Sequence, residues 1–349
     1  MLFTAKPIEI FCGSGGVGKT TLATARTLYL AEYEHKKTLL ITIDPSKRLK
    51  DIMKIDSAHS GETIAIQEFG TKKVTFDVLL MAPEVTMERI IQEAGYGQLI
   101  KNRILKILSR PYGGMNEILS IVELQYQIQT GKYDVIVLDT PPGSHFVDFL
   151  NSCRKIEAFF DKNFMDIFNY IYQAKNGAQP SVNLLKKVVS SGINKLLGYL
   201  QTVTGGQFIS DFMEAVSAIY KTKNIFTQAL KLQSDLKKRE TSNWFLVTSV
   251  EHSKIQEAMS LKHQARDFFH EDSYLVLNKC SSQLWEKTQI SASQKQLKKL
   301  QESALIKEQA LKEKLKQNFE NLLEFEEIFE KQPEQHVIEL SKRWNELKD

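Results

Sequence analysis

The stretch that decides the fold is Gly13-Ser14-Gly15-Gly16-Val17-Gly18-Lys19-Thr20-Thr21. It fits the pattern G-x-x-x-x-G-K-[ST], in which consecutive backbone N–H groups turn inward on phosphate oxygens because glycines carry no Cβ to intrude. The apolar run 8–12 ahead of it reads as a strand, and a helix opens at Lys19. The N-terminus of that helix adds partial positive charge to the cradle. In this arrangement Lys19 reaches the β- and γ-phosphates and the Thr20 hydroxyl ligates Mg²⁺, while Gly13 to Gly18 and Thr21 form the cradle. The bland alternative is a glycine turn joining strand to helix; the flanking strand and helix favour the phosphate loop.

Outward from the loop, further apolar runs at 38–43, 76–81, 134–138, 244–248, 274–277 and, less clearly, 322–328 read as strands. The internal ones are nearly continuous in Val, Ile and Leu, as strands covered on both faces are. Segments of helical period such as 20–33 and 117–129 lie between them. With the loop, this alternation predicts an α/β fold of the phosphate-loop nucleoside-triphosphatase kind, a mostly parallel doubly wound sheet. Two regions break it. Residues 146–240 carry apolar positions at helical spacing and an aromatic cluster from Phe159 to Tyr172, and read as an all-helical insertion. Residues 283–321 read as one long amphipathic helix or a helix pair. The expected division is a core over 1–145, a helical subdomain over 146–241 and the second part of the core over 242–349.

Two acids stand where a phosphate loop needs them. Asp139 ends the run Val135-Ile-Val-Leu and suits holding Mg²⁺ through water. Small and kinking residues follow it, Thr140-Pro-Pro-Gly-Ser-His145, as suits a loop that moves with the γ-phosphate. Asp44 ends Leu39-Leu-Ile-Thr-Ile, 25 residues past Lys19, and is placed to orient or deprotonate an attacking water. His145 either lines the moving loop or caps the following helix. Asn278, at the end of 274–277, is a candidate adenine contact, since its amide both donates and accepts; an Asn at a strand end is also an ordinary turn residue.

Composition excludes several classes. The 349 residues are 42% hydrophobic and 25% charged, which is ordinary globular usage. With 46 basic against 42 acidic residues, the net charge of +4 does not itself call for nucleic acid or an anionic membrane. Cys12, Cys153 and Cys280 are odd in number, widely spaced and without a C-x-x-C pair, which speaks for a reducing, cytoplasmic setting and against a close-spaced zinc or dithiol motif. No secretory leader and no membrane-spanning stretch is expected.

Together, the loop, the segment Thr42-Ile-Asp44-Pro45-Ser-Lys-Arg-Leu49, the segment Asp139–His145, Phe245-Leu-Val-Thr-Ser and Val276-Leu-Asn278 resemble the ArsA-type anion-pump and guided-entry (tail-anchored-protein-targeting) ATPases. The resemblance implies an ATP- and Mg-dependent ATPase that works as a homodimer, or as a heterodimer with a paralogous subunit. It implies Asp44 as the switch I acid, Asp139 as the switch II acid, Asn278 as adenine contact, and an adenine-flanking loop near 332–337. It also implies coupling of ATP turnover to capture or release of a client, such as a hydrophobic helix held by the helical insertion. One departure stands out. The family's loop carries a lysine directly before Gly-Gly that reaches the partner's nucleotide, and here that position is Ser14, as in some bacterial members. Hydrolysis is then slow, or another Lys or Arg substitutes, or an unlike subunit brings the lysine. The alternative is a nucleotide-binding interaction subunit with little turnover of its own. Partitioning and site-placing ATPases share the loop, but the modest charge and the lack of a basic C-terminal amphipathic helix argue against them.

Overall fold

The computed structural model of the chain describes residues 4–44, 47–55, 59–110, 115–143, 145–151, 202, 206–287 and 295–347. The chain divides into two compact units. The first comprises Met1–Met81, Gln127–Leu150 and Ser234–Asp349 and holds the whole sheet. The second comprises Ala82–Tyr126 and Asn151–Gln233. The segment 82–126, expected in the core, thus clusters with the helical unit. Phe146, expected at the start of the insertion, is fully buried in the first unit against Trp244.

The first unit is built on eight strands: β1 (Ile8–Gly13), β2 (Thr38–Thr42), β3 (Thr63–Phe69), β4 (Lys72–Leu80), β5 (Val135–Asp139), β6 (Ser242–Ser249), β7 (Tyr274–Cys280) and β8 (Asn321–Glu326). Their order is β3-β4-β2-β5-β1-β6-β7-β8. All neighbours run parallel except β3 and β4. The seven predicted runs are all strands, including the uncertain last one. The strand that sequence pattern missed is β3. It lies at the sheet edge, pairs antiparallel with β4 and alternates half-buried Ile64 and Ile66 with exposed polar residues, so it has no continuous apolar run to be read.

Helix α1 (Lys19–Glu32) follows the phosphate loop and is buried nearly all round, from Thr21 to Leu30. Within it Arg26 pairs with Glu9 of β1 through two parallel hydrogen bonds, Nε to Oε2 at 2.7 Å and Nη2 to Oε1 at 2.9 Å. Neither side chain touches solvent. Asn243 of β6 donates to the same Glu9 Oε1 at 3.2 Å. The guanidinium also lies over the Tyr29 and Trp344 rings. Trp344 meets Phe11, Phe245 and Phe325, so the C-terminal part of the chain seals the core over β1, β6 and β8.

The predicted helical stretch 283–321 is a pair among the described residues, Ser282–Lys287 and Lys295–Lys316, and it stops before β8. Glu308 on the longer helix accepts from the backbone N–H groups of Ser281 and Ser282 at 2.9 and 3.2 Å. Lys312 bridges Glu308 and Glu324 at 2.9 and 2.7 Å. Burial alone would raise the Glu308 pKa, but these donors outweigh it and hold it down at about 2.

In the second unit, Asn102 caps the short helix Arg103–Leu108, accepting from Ile104 and Leu105 N–H. Glu123 gathers Thr86 at 2.8 Å and Arg89 at 2.7 Å. Of the predicted helical insertion, Gly206–Lys221 and Lys223–Leu236 are helices. The aromatic cluster 159–172 and the apolar positions 184–200 lie outside the described residues. No described helix is long and apolar enough to cross a membrane.

The buried pair sets a stability prediction. Arg26→Ala leaves the Glu9 carboxylate charged and unpaired in a dry core, and is expected to lower unfolding stability by about 3–5 kcal/mol. The double variant Glu9→Gln/Arg26→Met should recover most of that loss. Urea unfolding of the three variants measures it; equal losses in single and double variants would contradict the assignment.

Candidate functional site

Parallel strands all point their C-terminal ends one way, so β1, β2, β5, β6 and β7 deliver Gly13, Thr42, Asp139, Ser249 and Asn278 to one edge of the sheet. The cradle needs its glycines for steric reasons. At Gly13, φ is +148° and an added Cβ would overlap the Val247 carbonyl oxygen of β6. At Gly18, φ is +97° and an added Cβ would overlap the Asn278 amide. Ser14 is buried, and its Oγ has no hydrogen-bond partner among the described residues.

Lys19 is buried and donates from Nζ to the Ser14 carbonyl at 3.1 Å. Burial lowers its pKa, offset in part by the charges of Asp139 and Asp44. The Thr20 hydroxyl donates to Asp139 Oδ2 at 2.7 Å, and Thr42 donates to the same oxygen at 3.1 Å. Asp139 Oδ1 is buried with no protein partner among the described residues. Burial raises the Asp139 pKa to about 6, against the opposing pull of Thr20, Lys19 and Thr42. Asp44 is exposed at the end of β2, next to Ile43, whose N–H donates to the Asp139 carbonyl at 3.1 Å. The segment after β5 is tied to the loop: Thr140 donates to Phe11 O at 2.8 Å and Gly143 N–H to Gly13 O at 3.2 Å. His145 is exposed in the first turn of the helix that follows. Cys12, directly under the loop, is held protonated by burial.

Beside the cradle opens a cleft of about 320 Å³. Asn278 lines it together with Gly16, Gly18, Thr20 and Thr21. The Asn278 amide is engaged with the loop itself, donating from Nδ2 to Val17 O at 2.8 Å. The far wall corrects an expectation. The flanking loop expected at 332–337 is instead the first turns of the helix Pro333–Glu346, because Pro at the first helical position starts a helix there. On the cleft stand Glu326, the last residue of β8, and Glu327 and Ile328 just past it, joined by His336 and Leu340 of that helix. Thr42, Glu326 to Ile328 and Leu340 were missed from sequence, whereas His336 lies within the expected segment 332–337. Thr42 could have been found from the β2–β5 register, which sets it beside Asp139; nothing in the pattern marks the wall.

The parallel sheet, the glycine cradle and the Lys-Thr-Asp group at its mouth define a phosphate-loop nucleotide-binding protein. Residues 7–322 match the family model described as anion-transporting ATPase. The chain belongs to this family of ATP hydrolases. It is 23% identical over 236 residues to the protein named ATPase ASNA1 homolog 2 of Paramecium tetraurelia, covering 64% of this chain and 71% of that protein. It is 22% identical over 283 residues to ATPase GET3 of Malassezia globosa, covering 76% of this chain and 83% of that protein. It is 33% identical over 143 residues to ATPase ARSA2 of Chlamydomonas reinhardtii, covering 40% and 36%. In three further relatives the matched part is 56–59% of the relative's length.

The brace on the loop is testable. Asn278→Ala removes the hydrogen bond to Val17 O, and ADP affinity is expected to fall up to about tenfold, the worth of one hydrogen bond. Fluorescent-nucleotide competition measures it; unchanged affinity would show that the loop holds its shape without the brace.

Proposed function

We propose that this chain is a Mg²⁺-dependent ATP hydrolase whose nucleotide cycle opens and closes a dimer, and through it captures and releases a hydrophobic client. The observation that carries the nucleotide part is the Thr20–Asp139 pair at the mouth of the glycine cradle. One carboxylate oxygen accepts two hydroxyls while the other is buried without a protein partner among the described residues. That donor set, a hydroxyl and an orphaned carboxylate oxygen, fits a hard cation that prefers oxygen ligands. Thr20 and Asp139 would hold Mg²⁺, Asp139 through water. When bound, the ion supplies neutralisation of the phosphate charge.

The chain's own residues account for the rest. The backbone N–H groups around Gly16 to Thr20 bind the phosphates, and Lys19 meets their charge. Burial makes the Lys19 ammonium costly without an anion, so a phosphate replaces the Ser14 carbonyl as its better partner. Asp44 accepts a hydrogen bond from water and aligns it on the γ-phosphorus. Water adds there as the bond to the bridging oxygen breaks, giving ADP and phosphate. Asn278 and the wall from Glu326 to Leu340 would take the base, a reading supported by the cleft they line beside the cradle. The client part rests on the helical unit, where Val85, Ile107 and Phe208 are exposed apolar side chains on amphipathic helices. The second reading, an interaction subunit of slow turnover, is favoured by Ser14, a neutral side chain where a lysine is expected.

Single-turnover hydrolysis by the pure chain tests the proposal. Lys19→Ala should abolish nucleotide binding. Asp44→Asn should retain ATP while slowing its cleavage about 10²–10³-fold, the cost of removing one well-placed polar group. Undiminished turnover in either variant would remove that residue's role.

A further inference from the structure

We propose that Lys254, from the first turn of the helix His252–Gln264 that follows β6, is a second phosphate-binding cation of this site, parked on Glu257 until a γ-phosphate draws it away. The inference rests on the nucleotide reading above and extends it to a residue that neither the loop pattern nor the family signature marks.

The need arises at position 14. A terminal phosphate carries more charge than one ammonium balances, and charge moves onto the leaving oxygen as it is cleaved. The loop supplies only Lys19, because the buried Ser14 hydroxyl is neutral. The place where a second cation can come from follows from topology. β6 is the parallel neighbour of β1, with Val247 opposite Gly13, so the chain leaving β6 turns into its helix beside the phosphate loop. That helix packs back on β6 and β1. Lys254 stands in its first turn.

The side chains there are coupled to the loop from both sides. Lys254 Nζ bonds both carboxylate oxygens of Glu257, each at 3.1 Å. Glu257 is held below its ordinary pKa chiefly by its bond from Lys254 and also by the Ser14 side chain, which places this carboxylate beside the phosphate loop. The charge of Lys254 in turn disfavours the ammonium of Lys19. Two like charges within electrostatic reach of each other repel while the cradle holds no anion; a phosphate between them turns both interactions favourable. The exchange is then simple. Lys254 leaves Glu257 for the γ-phosphate, and Glu257, relieved of its cation, accepts the Ser14 hydroxyl. ADP lacks the γ-phosphate and leaves the Lys254–Glu257 pair closed, so the device distinguishes ATP from ADP.

The experiment measures ATP and ADP affinity by competition with a fluorescent nucleotide, and single-turnover hydrolysis, on the full chain. Lys254→Gln is expected to weaken ATP about tenfold to a hundredfold, the range for losing a charge-assisted hydrogen bond, with ADP affinity and Tm unchanged. Lys254→Arg should keep most of the ATP preference. Glu257→Gln should strengthen ATP severalfold by freeing Lys254. Ser14→Lys added to Lys254→Gln should restore ATP binding, since it returns a cation to the loop. Unchanged ATP affinity in Lys254→Gln overturns the proposal, as does a parallel fall in ATP and ADP affinity in both the Lys254 and Glu257 variants, which marks a purely structural pair. Failure of the unaltered chain to bind ATP would instead overturn the nucleotide reading itself, and this inference with it.

Discussion

The bidentate pair between Glu9 and Arg26 is the constraint on which the rest of the first unit hangs. Two charges with no solvent contact are tolerable only when paired at close, well-aligned geometry, so their neighbours are not free to move. Glu9 belongs to β1 and Arg26 to the helix that leaves the phosphate loop, while Asn243 brings in β6 and Trp344 the C-terminal helix. The pair therefore locks the rotation of that helix about its axis. Rotation decides where Lys19 and Thr20, two turns earlier, point. A site that must aim an ammonium and a hydroxyl to within a few tenths of an ångström is served by a charge clamp deep below it.

At the mouth of the cradle the same logic works with hydroxyls. Thr20 and Thr42 approach a single oxygen of Asp139 from two different elements, and this reserves the other oxygen. An acid in so dry a place resists ionisation, hence its raised pKa, and a cation at the reserved oxygen is what would relieve it. The loop, the acid and Asn278 are thus mutually braced, with Val17 O held by an amide from β7 and Gly13 O by the N–H of Gly143.

Much of this was legible in the sequence, for identifiable reasons. The phosphate loop declares itself because its glycines answer to steric demands no other residue meets, as at Gly13 against Val247. The interior strands declare themselves because burial on both faces leaves only apolar residues. Asp44 and Asp139 follow as acids at the ends of such strands. What was not legible depends on surroundings. β3 shows one face to solvent at a sheet edge and so lacks a continuous run. The cleft wall from Glu326 to Leu340 is assembled from a strand end and a helix that begins at Pro333, and neither carries a pattern of its own. The neighbourhood of Lys254 and Ser14 comes from a strand pairing across more than two hundred residues, which no local pattern records.

That pairing has a consequence for the order of assembly. β1, near the N-terminus, lies between β5 and β6, so Ile8 pairs on one side with Ile136 and on the other with Ser242. The amide that braces Val17 comes 261 residues later. Closing such long loops is slow, and the contacts that repay the lost chain entropy arrive only at the end. During synthesis β1 gains its second parallel neighbour only once β6 has emerged, and the phosphate loop gains its amide brace only with Asn278. The complete cradle is thus a late product of folding, and nucleotide binds best to the finished core. ATP or ADP present at that moment acts as a folding ligand, stabilising the finished unit by mass action.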